Sequence, residues 1–435
     1  MRNRGLRLLM LVAPALGAQS APIIELRDGR WFDGRRFVAG SRWMRAGEFV
    51  ARPARAADSV VSLGGRWIVP PYGDAHTHSP DGEFGFETIR DMYLRTGVFY
   101  VQVLTNTRSG RLALRGRVNV PSSIDAAYAD GAVTASGGHP QVIYESLGLF
   151  RRPYGSPAER RQASRTRDRE GDVYHLLDEA TQLPAIMRRV QRDTLPLLKV
   201  MLLDSERRAG ILADSTRVGE YGIDPALLPA LVDSAHTAGR RVWAHVETVR
   251  DFELALDAGV DGFAHVPGYG AARIDDADLA RYRLTPALAR RAARLGVTVV
   301  PTMGLADGGV IDDPGAVRRV ESVTARNVRL LAGAGVRLLT GSDTYSSAAI
   351  IERDAAALGD VLRLSRRERL VLRAVTTPRA IFPGRRLGAL RPGHEASFLA
   401  LACDPLVALA CQSRITMRVK QGTMLHVPPA DTTER

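Results

Sequence analysis

The sequence predicts an α/β fold, a (β/α)8 TIM barrel that carries a small β-sandwich domain built from both termini. Through the middle of the chain, strand-like apolar runs alternate with amphipathic helical patterns, which is typical of parallel strands joined by helical crossovers. His76, on the first such strand, lies 267 positions before Asp343, and barrels of this kind typically span about 250 residues. An open doubly wound sheet is the alternative, although no glycine-rich phosphate turn follows the first strand.

The first segment, residues 1–20, has the layout of a secretory signal peptide. Three arginines precede an apolar run over residues 8–16, and small residues follow at 17–20. The apolar run is too short to cross a bilayer, which takes about 20 residues. An uncleaved anchor is the alternative. We therefore expect an exported protein, periplasmic or secreted, with no membrane segment after signal cleavage.

Short strand and turn patterns occupy residues 21–66, and similar patterns return over residues 384–428. We expect these two stretches to pair as the β-sandwich domain, with the barrel over residues 67–383 and a short tail at 429–435. The predicted barrel strands are the run that leads to His76 and the runs at 98–104, 132–136, 197–203, 241–246, 262–266, 297–302 and 337–341.

The formal net charge is +13, but the basic residues are spread along the chain rather than gathered on one helix or strand. This distribution predicts a solvated basic surface and no nucleic-acid partner. Cys403 and Cys411 are the two cysteines. In an exported protein they either form a disulfide that closes a small loop or stay as buried thiols.

Among the 60 basic residues, Lys199 and Lys420 are the two lysines. Lys199 lies in a strand-like apolar run, where a buried ammonium is costly without a partner. A lysine can lose its proton and act as a nucleophilic amine, and an arginine cannot. We therefore expect Lys199 either to form a Schiff base or to capture carbon dioxide as a carbamate. A structural lysine that reaches the surface is the alternative.

Two histidines end the first predicted strand. Side chains at positions i and i+2 of a strand project from the same face, so His76 and His78 aim two imidazoles at one point, as a metal ion requires. Further ligand-type residues lie within or after later strand-like runs, and barrels carry their active sites where the strands end. They are Lys199, His245, His265 and Asp343.

This layout resembles the amidohydrolase superfamily of metal-dependent hydrolases, in its prolidase and imidazolonepropionase-like branch, over nearly the whole mature chain. The motif His76–His78 resembles the ligand pair of the first strand, and Lys199 looks like the carboxylated lysine that bridges two metal ions. His245 and His265 are similar to the ligands of the fifth and sixth strands, and Asp343 resembles the aspartate of the eighth.

Other segments fit the resemblance or depart from it. The residues from Ala135 to Pro140 look like the third-strand segment that binds substrate in that branch. Ser397 stands where an aspartate is usual in the closing sheet motif, and Pro71 replaces a usual glycine before the first-strand ligands. These departures concern the sheet domain and strand packing, so they leave the implied metal site intact.

The resemblance implies two divalent metal ions, Zn²⁺ or a similar borderline ion, that share the Lys199 carbamate and hold a bridging hydroxide. Asp343 is then the general base that passes the proton to the departing nitrogen. His139 orients or polarises the substrate, or else is a loop histidine with a structural role. Tyr269 and Tyr345, close in sequence to the implied ligands, shape the substrate pocket.

Residues 151–169 are dense in arginine and lie between the third and fourth predicted strands. They form either a lid that captures a substrate carboxylate or, as we expect, a solvated and partly disordered insertion. The remaining histidines are predicted to be structural, in helices or in the sheet domain and away from the strand ends. They are His175, His236, His394 and His426.

We therefore expect an exported amidohydrolase that cleaves an amide, peptide or cyclic-amide C–N bond in a small-molecule or short-peptide substrate. A mononuclear deaminase-like or lactam hydrolase is one alternative, although such an enzyme does not need the lysine bridge. A non-catalytic exported binding protein is the other, although it has no use for a complete ligand set. The sequence leaves the substrate open, and it leaves open whether the chain forms a homo-oligomer.

Overall fold

The computed structural model describes residues 21–153, 155–269, 276–304 and 314–429. The predicted signal peptide, and all but the first residue of the predicted tail, lie outside the described residues. Within these ranges, no helix is long and apolar enough to cross a membrane.

Eighteen strands lie within the described ranges, and they are two to nine residues long. In chain order they are β1 (Ile24–Phe32), β2 (Phe37–Arg45), β3 (Glu48–Val50), β4 (Ser59–Ser62), β5 (Trp67–Val69), β6 (Tyr72–Thr77), β7 (Val98–Val103), β8 (Asp125–Tyr128), β9 (Ala132–Thr134), β10 (Tyr174–Leu176), β11 (Leu197–Met201), β12 (Arg241–His245), β13 (Gly262–Ala264), β14 (Thr298–Val300), β15 (Arg337–Leu338), β16 (Phe398–Leu401), β17 (Ile415–Lys420) and β18 (Thr423–Met424).

Thirteen α-helices lie in the same ranges, and most of them connect strands in the middle of the chain. They are α1 (Phe86–Thr96), α2 (Arg108–Ala113), α3 (Gln141–Phe150), α4 (Pro157–Ala163), α5 (Leu183–Val190), α6 (Arg208–Ala213), α7 (Leu228–Thr237), α8 (Val249–Asp257), α9 (Pro286–Leu295), α10 (Pro314–Gly333), α11 (Ala348–Val361), α12 (Arg366–Val371) and α13 (Thr377–Ile381). A π-helical turn, Leu372–Thr376, joins α12 to α13.

Strands from both chain ends form one sheet. Its order is β18-β17-β16-β5-β1-β2-β3, and β4 pairs with β1. The short strand β5 lies between β1 and β16 and pairs with both. The core of this sheet is aromatic, because Trp31 makes edge contacts with Phe49 and Phe398 at ring-centroid distances of 6.0 and 5.9 Å. This packing holds the C-terminal strands against the N-terminal ones.

The middle of the chain forms two parallel sheets, β6-β7-β8 and β10-β9-β11-β12-β13-β14-β15. The mixed α/β class with parallel strands is therefore confirmed. Backbone contacts link the two sheets on both sides: Ala129 bridges to Leu197, and the amide of Ala75 donates to the carbonyl oxygen of Thr340 at 2.8 Å. Because the strands are parallel, their carboxyl ends share one side of the assembly.

Two strands of the parallel sheets are absent from the sequence prediction. β8 contains two alanines and an aspartate, which are depleted in strands, and β10 is only three residues long. β10 carries His175, so the expectation that this histidine lies in a helix or in the sheet domain is wrong. The His175 ring is buried, and its Nε2 lies 3.8 Å from Asp130 Oδ1.

The arginine-rich insertion at residues 151–169 contains the capped helix α4. Ser156 Oγ accepts a hydrogen bond from the Glu159 amide, and the Glu159 carboxylate accepts one from the Ser156 amide at 2.7 Å. This reciprocal capping box satisfies two amides that the helix itself leaves unpaired. Within the described part of the insertion, residues 156–164 therefore form a capped helix rather than an irregular loop.

Near the C-terminus, Cys403 and Cys411 form a disulfide with their Cα atoms 5.4 Å apart. The bond closes a loop between β16 and β17. Of the two alternatives that the sequence leaves open for these cysteines, the structure has the disulfide.

Candidate metal centre

The candidate centre begins with His76 and His78 at the end of β6, a strand in which every residue is buried. Asp343 follows β15, and its Oδ1 lies 3.2 Å from His76 Nε2 and 2.8 Å from His78 Nε2. One ligand atom from each of these three residues lies within 4.8 Å of the others. Imidazole nitrogens and carboxylate oxygens are ligands for Zn²⁺ and similar ions. This group could therefore hold a metal ion.

Three further histidines adjoin this group. The His265 ring lies 4.9 Å from that of His76 and 4.6 Å from that of His245. The His139 ring lies 5.4 Å from that of His245. Burial lowers the pKa of His245 to about 3. Burial also holds the pKa values of His76, His139 and His265 well below their usual range. The rings are consequently neutral near pH 7, the form in which imidazole binds a metal.

Lys199 lies in the middle of β11, and it is 2% exposed. Burial lowers the pKa of Lys199 to about 7, whereas Asp343 acts in the opposite direction. The charge of Lys199 in turn adds to the effect of burial in lowering the pKa of His245. The lysine thus interacts electrostatically with both the aspartate and the histidines of the candidate centre.

Contacts of the second imidazole nitrogen orient two of the rings. His265 Nδ1 lies 2.6 Å from Thr302 Oγ1, and His78 Nδ1 lies 3.2 Å from the carbonyl oxygen of Thr105. Such contacts fix which nitrogen faces a metal. Accordingly, it is Nε2 of each ring that faces Asp343, at 2.8 Å for His78 and 3.8 Å for His265.

Several non-glycine residues at the ends of the parallel strands adopt left-handed backbone conformations. The φ angles are 76° for His265, 53° for Thr302 and 55° for Asp343. This region is sparsely populated by residues with a Cβ atom, and such strained positions cluster at functional sites. Two of the candidate ligands are therefore held in conformations that an unconstrained chain would rarely adopt.

Buried aspartates outside the predicted ligand set join the segments at these strand ends. Asp74 Oδ2 accepts a hydrogen bond from Ser342 Oγ at 2.6 Å, which joins β6 to the segment after β15. Asp354, on α11, accepts from the amide of Met303 at 2.8 Å and from that of Gly341 at 2.9 Å. These contacts position the backbone on either side of the candidate ligands.

A third aspartate, Asp251 on α8, accepts hydrogen bonds from the amides of Ser205 and Thr248, both at 3.0 Å. Burial raises the pKa of Asp251 and of Asp74 to about 6, and that of Asp354 to about 7. The spacing of Thr248 and Asp251 is a capping-box pattern, so the sequence carried a signal for this residue. Asp354 shows no such pattern.

Tyr269 and Tyr345 border the centre. The Tyr269 ring stacks on that of His265 at a centroid distance of 3.5 Å, and its hydroxyl donates to the Asp343 carboxylate. The Tyr345 ring stacks on that of His78 at 4.8 Å and is 55% exposed. Tyr345 therefore lies where the candidate centre meets solvent.

The structure thus brings the predicted site residues into one neighbourhood, with Lys199 inside β11 and the others at or beyond the carboxyl ends of the parallel strands. Those residues are His76, His78, His139, Lys199, His245, His265, Tyr269, Asp343 and Tyr345. His236, on α7, pairs instead with Asp261, its Nε2 2.9 Å from the carboxylate. The geometry could support metal binding and proton transfer at a single point.

No protein-family model and no curated protein matches the chain. Solved structures do match it. A prolidase complexed with N-methylphosphonate-L-proline is 18% identical, with a TM-score of 0.69 over 93% of this chain and 100% of its own. An amidohydrolase is 20% identical, with a TM-score of 0.68 over 94% and 100%. A Xaa-Pro dipeptidase with bound methionine is 16% identical, with a TM-score of 0.68 over 93% and 100%. At such identities the likeness establishes the fold.

Proposed function

We propose that this chain, whose fold is that of the amidohydrolase superfamily, is an exported metal-dependent hydrolase of amide, peptide or cyclic-amide C–N bonds. The observation that carries the proposal is the close approach of His76, His78 and Asp343 at the carboxyl ends of parallel strands. The fold is shared with proteins named prolidase, amidohydrolase and Xaa-Pro dipeptidase, which supports the same reaction class. The proposed substrate is a small molecule or a short peptide.

We also propose that the two parallel sheets form one closed (β/α)8 TIM barrel and that the sheet from the chain ends is a β-sandwich domain. The backbone links from Ala129 to Leu197 and from Ala75 to Thr340 support closure, because they join the small sheet to the large one on both sides. In such a barrel the active site lies at the carboxyl ends of the strands. The candidate histidine ligands and Asp343 lie at or just beyond these ends, and Lys199 lies inside β11.

The candidate ligand set fits divalent cations such as Zn²⁺, and we propose that it holds two of them. The proposed ligands are His76, His78, Lys199, His245, His265 and Asp343. The imidazoles of His76, His245 and His265 have lowered pKa values, and although burial acts to raise the pKa of Asp343, the neighbouring histidines hold it well below its usual range. When bound, the metal would activate water as a nucleophile and polarise the scissile carbonyl.

Lys199 is the proposed bridge, in the form of a carbamate. Its Nζ forms a bond to the carbon of carbon dioxide and releases a proton to solvent, so a buried amine becomes an anion. An anion at this position would attract the cations held by the neighbouring histidines, whereas a buried ammonium would repel them. The strong preference of the chain for arginine at its other basic positions supports a chemical role for this lysine.

Asp343 is the proposed general base. It accepts the proton of the attacking water and passes it to the departing nitrogen, because an amine anion is a poor leaving group. The Tyr269 hydroxyl, which donates to Asp343, holds the carboxylate in position. His139 orients the substrate carbonyl, and Tyr345 contacts the substrate at the mouth of the site.

A mononuclear deaminase-like or lactam hydrolase is the second candidate. The compact group of His76, His78 and Asp343 favours it, since this group alone offers enough ligands for one ion. Metal analysis and intact mass spectrometry separate the two candidates. Two ions per chain support the binuclear enzyme, whereas one ion with unmodified Lys199 supports the mononuclear one.

The test is a hydrolytic screen of the purified chain against Xaa-Pro dipeptides, N-acyl amino acids and lactams, before and after chelation. We expect hydrolysis of at least one class, its loss on chelation and its return with Zn²⁺. His78→Ala should lower kcat/KM by at least about a hundredfold. His426→Ala is the matched control, because His426 is exposed and lies outside the centre, and it should leave kcat/KM unchanged.

Two results would contradict the proposal. Hydrolysis that survives both chelation and His78→Ala would exclude a metal-dependent reaction at this centre. Absence of hydrolysis for every class, with metal bound, would favour the non-catalytic exported binding protein.

A further inference from the structure

A cavity of about 540 Å³ lies at the opposite ends of the strands from the candidate metal centre. Its walls include Arg241, Thr298 and Arg337, which are the first residues of β12, β14 and β15. His245, in contrast, is the last residue of β12. The cavity is therefore separate from the proposed active site, and a ligand bound in it would be independent of the proposed function.

Positive charge dominates this cavity. Arg241, Arg337 and Arg379 line it, and the acidic side chain among the lining residues is Asp261. Asp261 Oδ2 already accepts a hydrogen bond from the backbone amide that follows Arg241, at 2.7 Å, and lies 2.9 Å from His236 Nε2. A single carboxylate that is engaged elsewhere leaves the three guanidinium groups in excess.

The three arginines lack direct ionic partners. Over the described ranges, none of them forms an ion pair with a carboxylate within 4.0 Å. Arg241 Nη1 donates to the carbonyl oxygen of Ala380 at 3.2 Å, and Arg379 Nε donates to that of Leu387 at 2.8 Å. Each of these two guanidiniums donates once more, Arg241 Nη2 to the carbonyl oxygen of Ile381 at 3.5 Å and Arg379 Nη2 to that of Gly388 at 3.3 Å. Neutral carbonyl partners leave the positive charge in place, and each guanidinium has further N–H groups to donate. Burial of Arg241 lowers its pKa, and Asp261 offsets that effect only in part.

The remaining wall comes from the π-helical turn Leu372–Thr376 and the residues after it. Val375 and Thr376 of that turn line the cavity, as does the buried indole of Trp243. π-Helical turns are rare and occur frequently at functional sites. Trp243 and Val375 therefore give the cavity an apolar surface in addition to the three arginines.

We propose that this cavity binds a small organic anion, with a carboxylate or phosphate group against Arg241, Arg337 and Arg379 and an apolar part against Trp243. Guanidinium groups bind both kinds of oxyanion through paired hydrogen bonds. The cavity exceeds what a bare oxyanion needs and lies within the roughly 300–1,000 Å³ of small-molecule pockets. An aromatic or short aliphatic acid or phosphate monoester fits this combination.

The test is calorimetric titration of the full chain with benzoate, phenyl phosphate and inorganic phosphate. We expect saturable binding of benzoate, phenyl phosphate or both, and weaker binding of inorganic phosphate, which lacks the apolar part. The double variant Arg337→Gln/Arg379→Gln should weaken the binding at least about tenfold. Arg188→Gln/Arg329→Gln removes the same charge from exposed positions on α5 and α10, and it should leave the affinity unchanged.

Two further variants locate the bound anion. Asp343→Asn alters the candidate metal centre and should leave the affinity unchanged. Trp243→Phe should abolish a ligand-induced change in tryptophan fluorescence while the heat of binding remains, and this readout holds even if the double arginine variant does not fold. No saturable binding up to about 10 mM, an unchanged affinity in a folded double variant, or a fluorescence change that survives Trp243→Phe would overturn the proposal.

Discussion

Both lysines of the chain are buried, and their neighbours distinguish them. Lys420 Nζ contacts the Asp125 carboxylate and lies 2.6 Å from the carbonyl oxygen of Val120, so its charge has direct partners. Lys199 lies instead beside histidines whose protonation its charge opposes. Burial alone would give both lysines the same interpretation. Lys420 is therefore part of a buried ion pair, whereas Lys199 forms no ion pair within 4.0 Å among the described residues and is the lysine for which we propose a chemical role.

The carbamate proposal predicts the behaviour of Lys199→Ala. We expect this variant to lose most of its bound metal and to lose activity by at least about a hundredfold, since changes even to the surroundings of metal ligands cost 10–100-fold. Acetate or propionate should restore part of both, because a free carboxylate can take the place of the carbamate. Metal analysis with and without the added acid measures this, and unchanged metal content in the variant would contradict it.

At the scale of single elements, side chains from helices position the segments that follow the parallel strands. Asp354 reaches from α11 to the segments after β14 and β15, and Asp251 reaches from α8 to the segments after β11 and β12. Each carboxylate accepts hydrogen bonds from backbone amides that no strand partner satisfies. The position of the candidate ligands therefore depends on helices that carry no ligand themselves.

We predict that Asp354→Asn lowers the free energy of unfolding by about 1–3 kcal/mol. Each side-chain oxygen of Asp354 accepts a hydrogen bond from one backbone amide, whereas asparagine has one acceptor oxygen, so one of these amides would lose its partner. The loss should be larger at pH 5.5 than at pH 8. Asp354 has a pKa of about 7 in the folded protein against about 3.9 when unfolded. Between these two pH values the folded state keeps a proton on Asp354 that the unfolded state has lost, and this proton stabilises the folded wild-type protein. The stabilisation is lost as the pH rises through about 7, and asparagine has no such proton at any pH.

Urea denaturation of both proteins at the two pH values measures this difference. Asp360→Asn is the matched control, because Asp360 is an exposed aspartate on the same helix and should show little loss at either pH. A loss that is equal at pH 5.5 and pH 8, or larger at pH 8, would contradict the raised pKa.

The disulfide between Cys403 and Cys411 lies in a loop of the terminal sheet, and the carbonyl oxygen of Gln412 in this loop accepts a hydrogen bond from the Tyr72 hydroxyl of β6 at 3.0 Å. The disulfide closes a short loop between β16 and β17, so the double variant Cys403→Ser/Cys411→Ser should lower the free energy of unfolding by about 2–3 kcal/mol. The catalytic constants of the folded variant should stay unchanged, because neither cysteine is a candidate site residue and the contact of Gln412 with Tyr72 does not need the disulfide once the chain is folded. Denaturation measures the loss of stability, and a hydrolysis assay measures the catalytic constants. Lost activity in a folded variant would contradict the expectation that these constants stay unchanged.

At the scale of the whole molecule, the chain ends meet in one sheet that begins just after the predicted signal segment. β1 starts at Ile24, and the amide of Ile23 donates to Asp58 Oδ2 at 2.7 Å. Cleavage after Ala18 or Ser20 would therefore leave every strand of the sheet intact. Export and a complete fold are compatible in this chain.

The export proposal predicts a processed N-terminus at Gln19 or Ala21 in the fraction outside the cytoplasm. Leu11→Arg interrupts the apolar run, so it should retain the protein inside the cell with Met1 or its unprocessed neighbour at the N-terminus. Cell fractionation with N-terminal sequencing measures both outcomes. Export of the Leu11→Arg variant at the normal level would contradict the signal-peptide interpretation.

The sequence was sufficient to predict which residue types meet at the candidate centre. His76 and His78 share a strand face, and His245, His265 and Asp343 follow later strands whose carboxyl ends are brought to one side by parallel pairing. The contact of Asp74 with Ser342 could not be predicted in this way. These two residues are 268 positions apart, and no local sequence pattern links them.

By itself the sequence determined the alternation of strands and helices, the histidine and carboxylate side chains near the strand ends and the presence of a lysine, Lys199, in an apolar strand. Periodicity and side-chain type are local properties of a chain, so they can be read without the fold. Only the tertiary structure decided that β8 and β10 join the parallel sheets, that buried aspartates hold the strand ends, and that three arginines from separate elements surround one cavity. Hydrogen bonds and electrostatic interactions depend on distances in space, and a linear sequence does not contain those distances until the chain has folded.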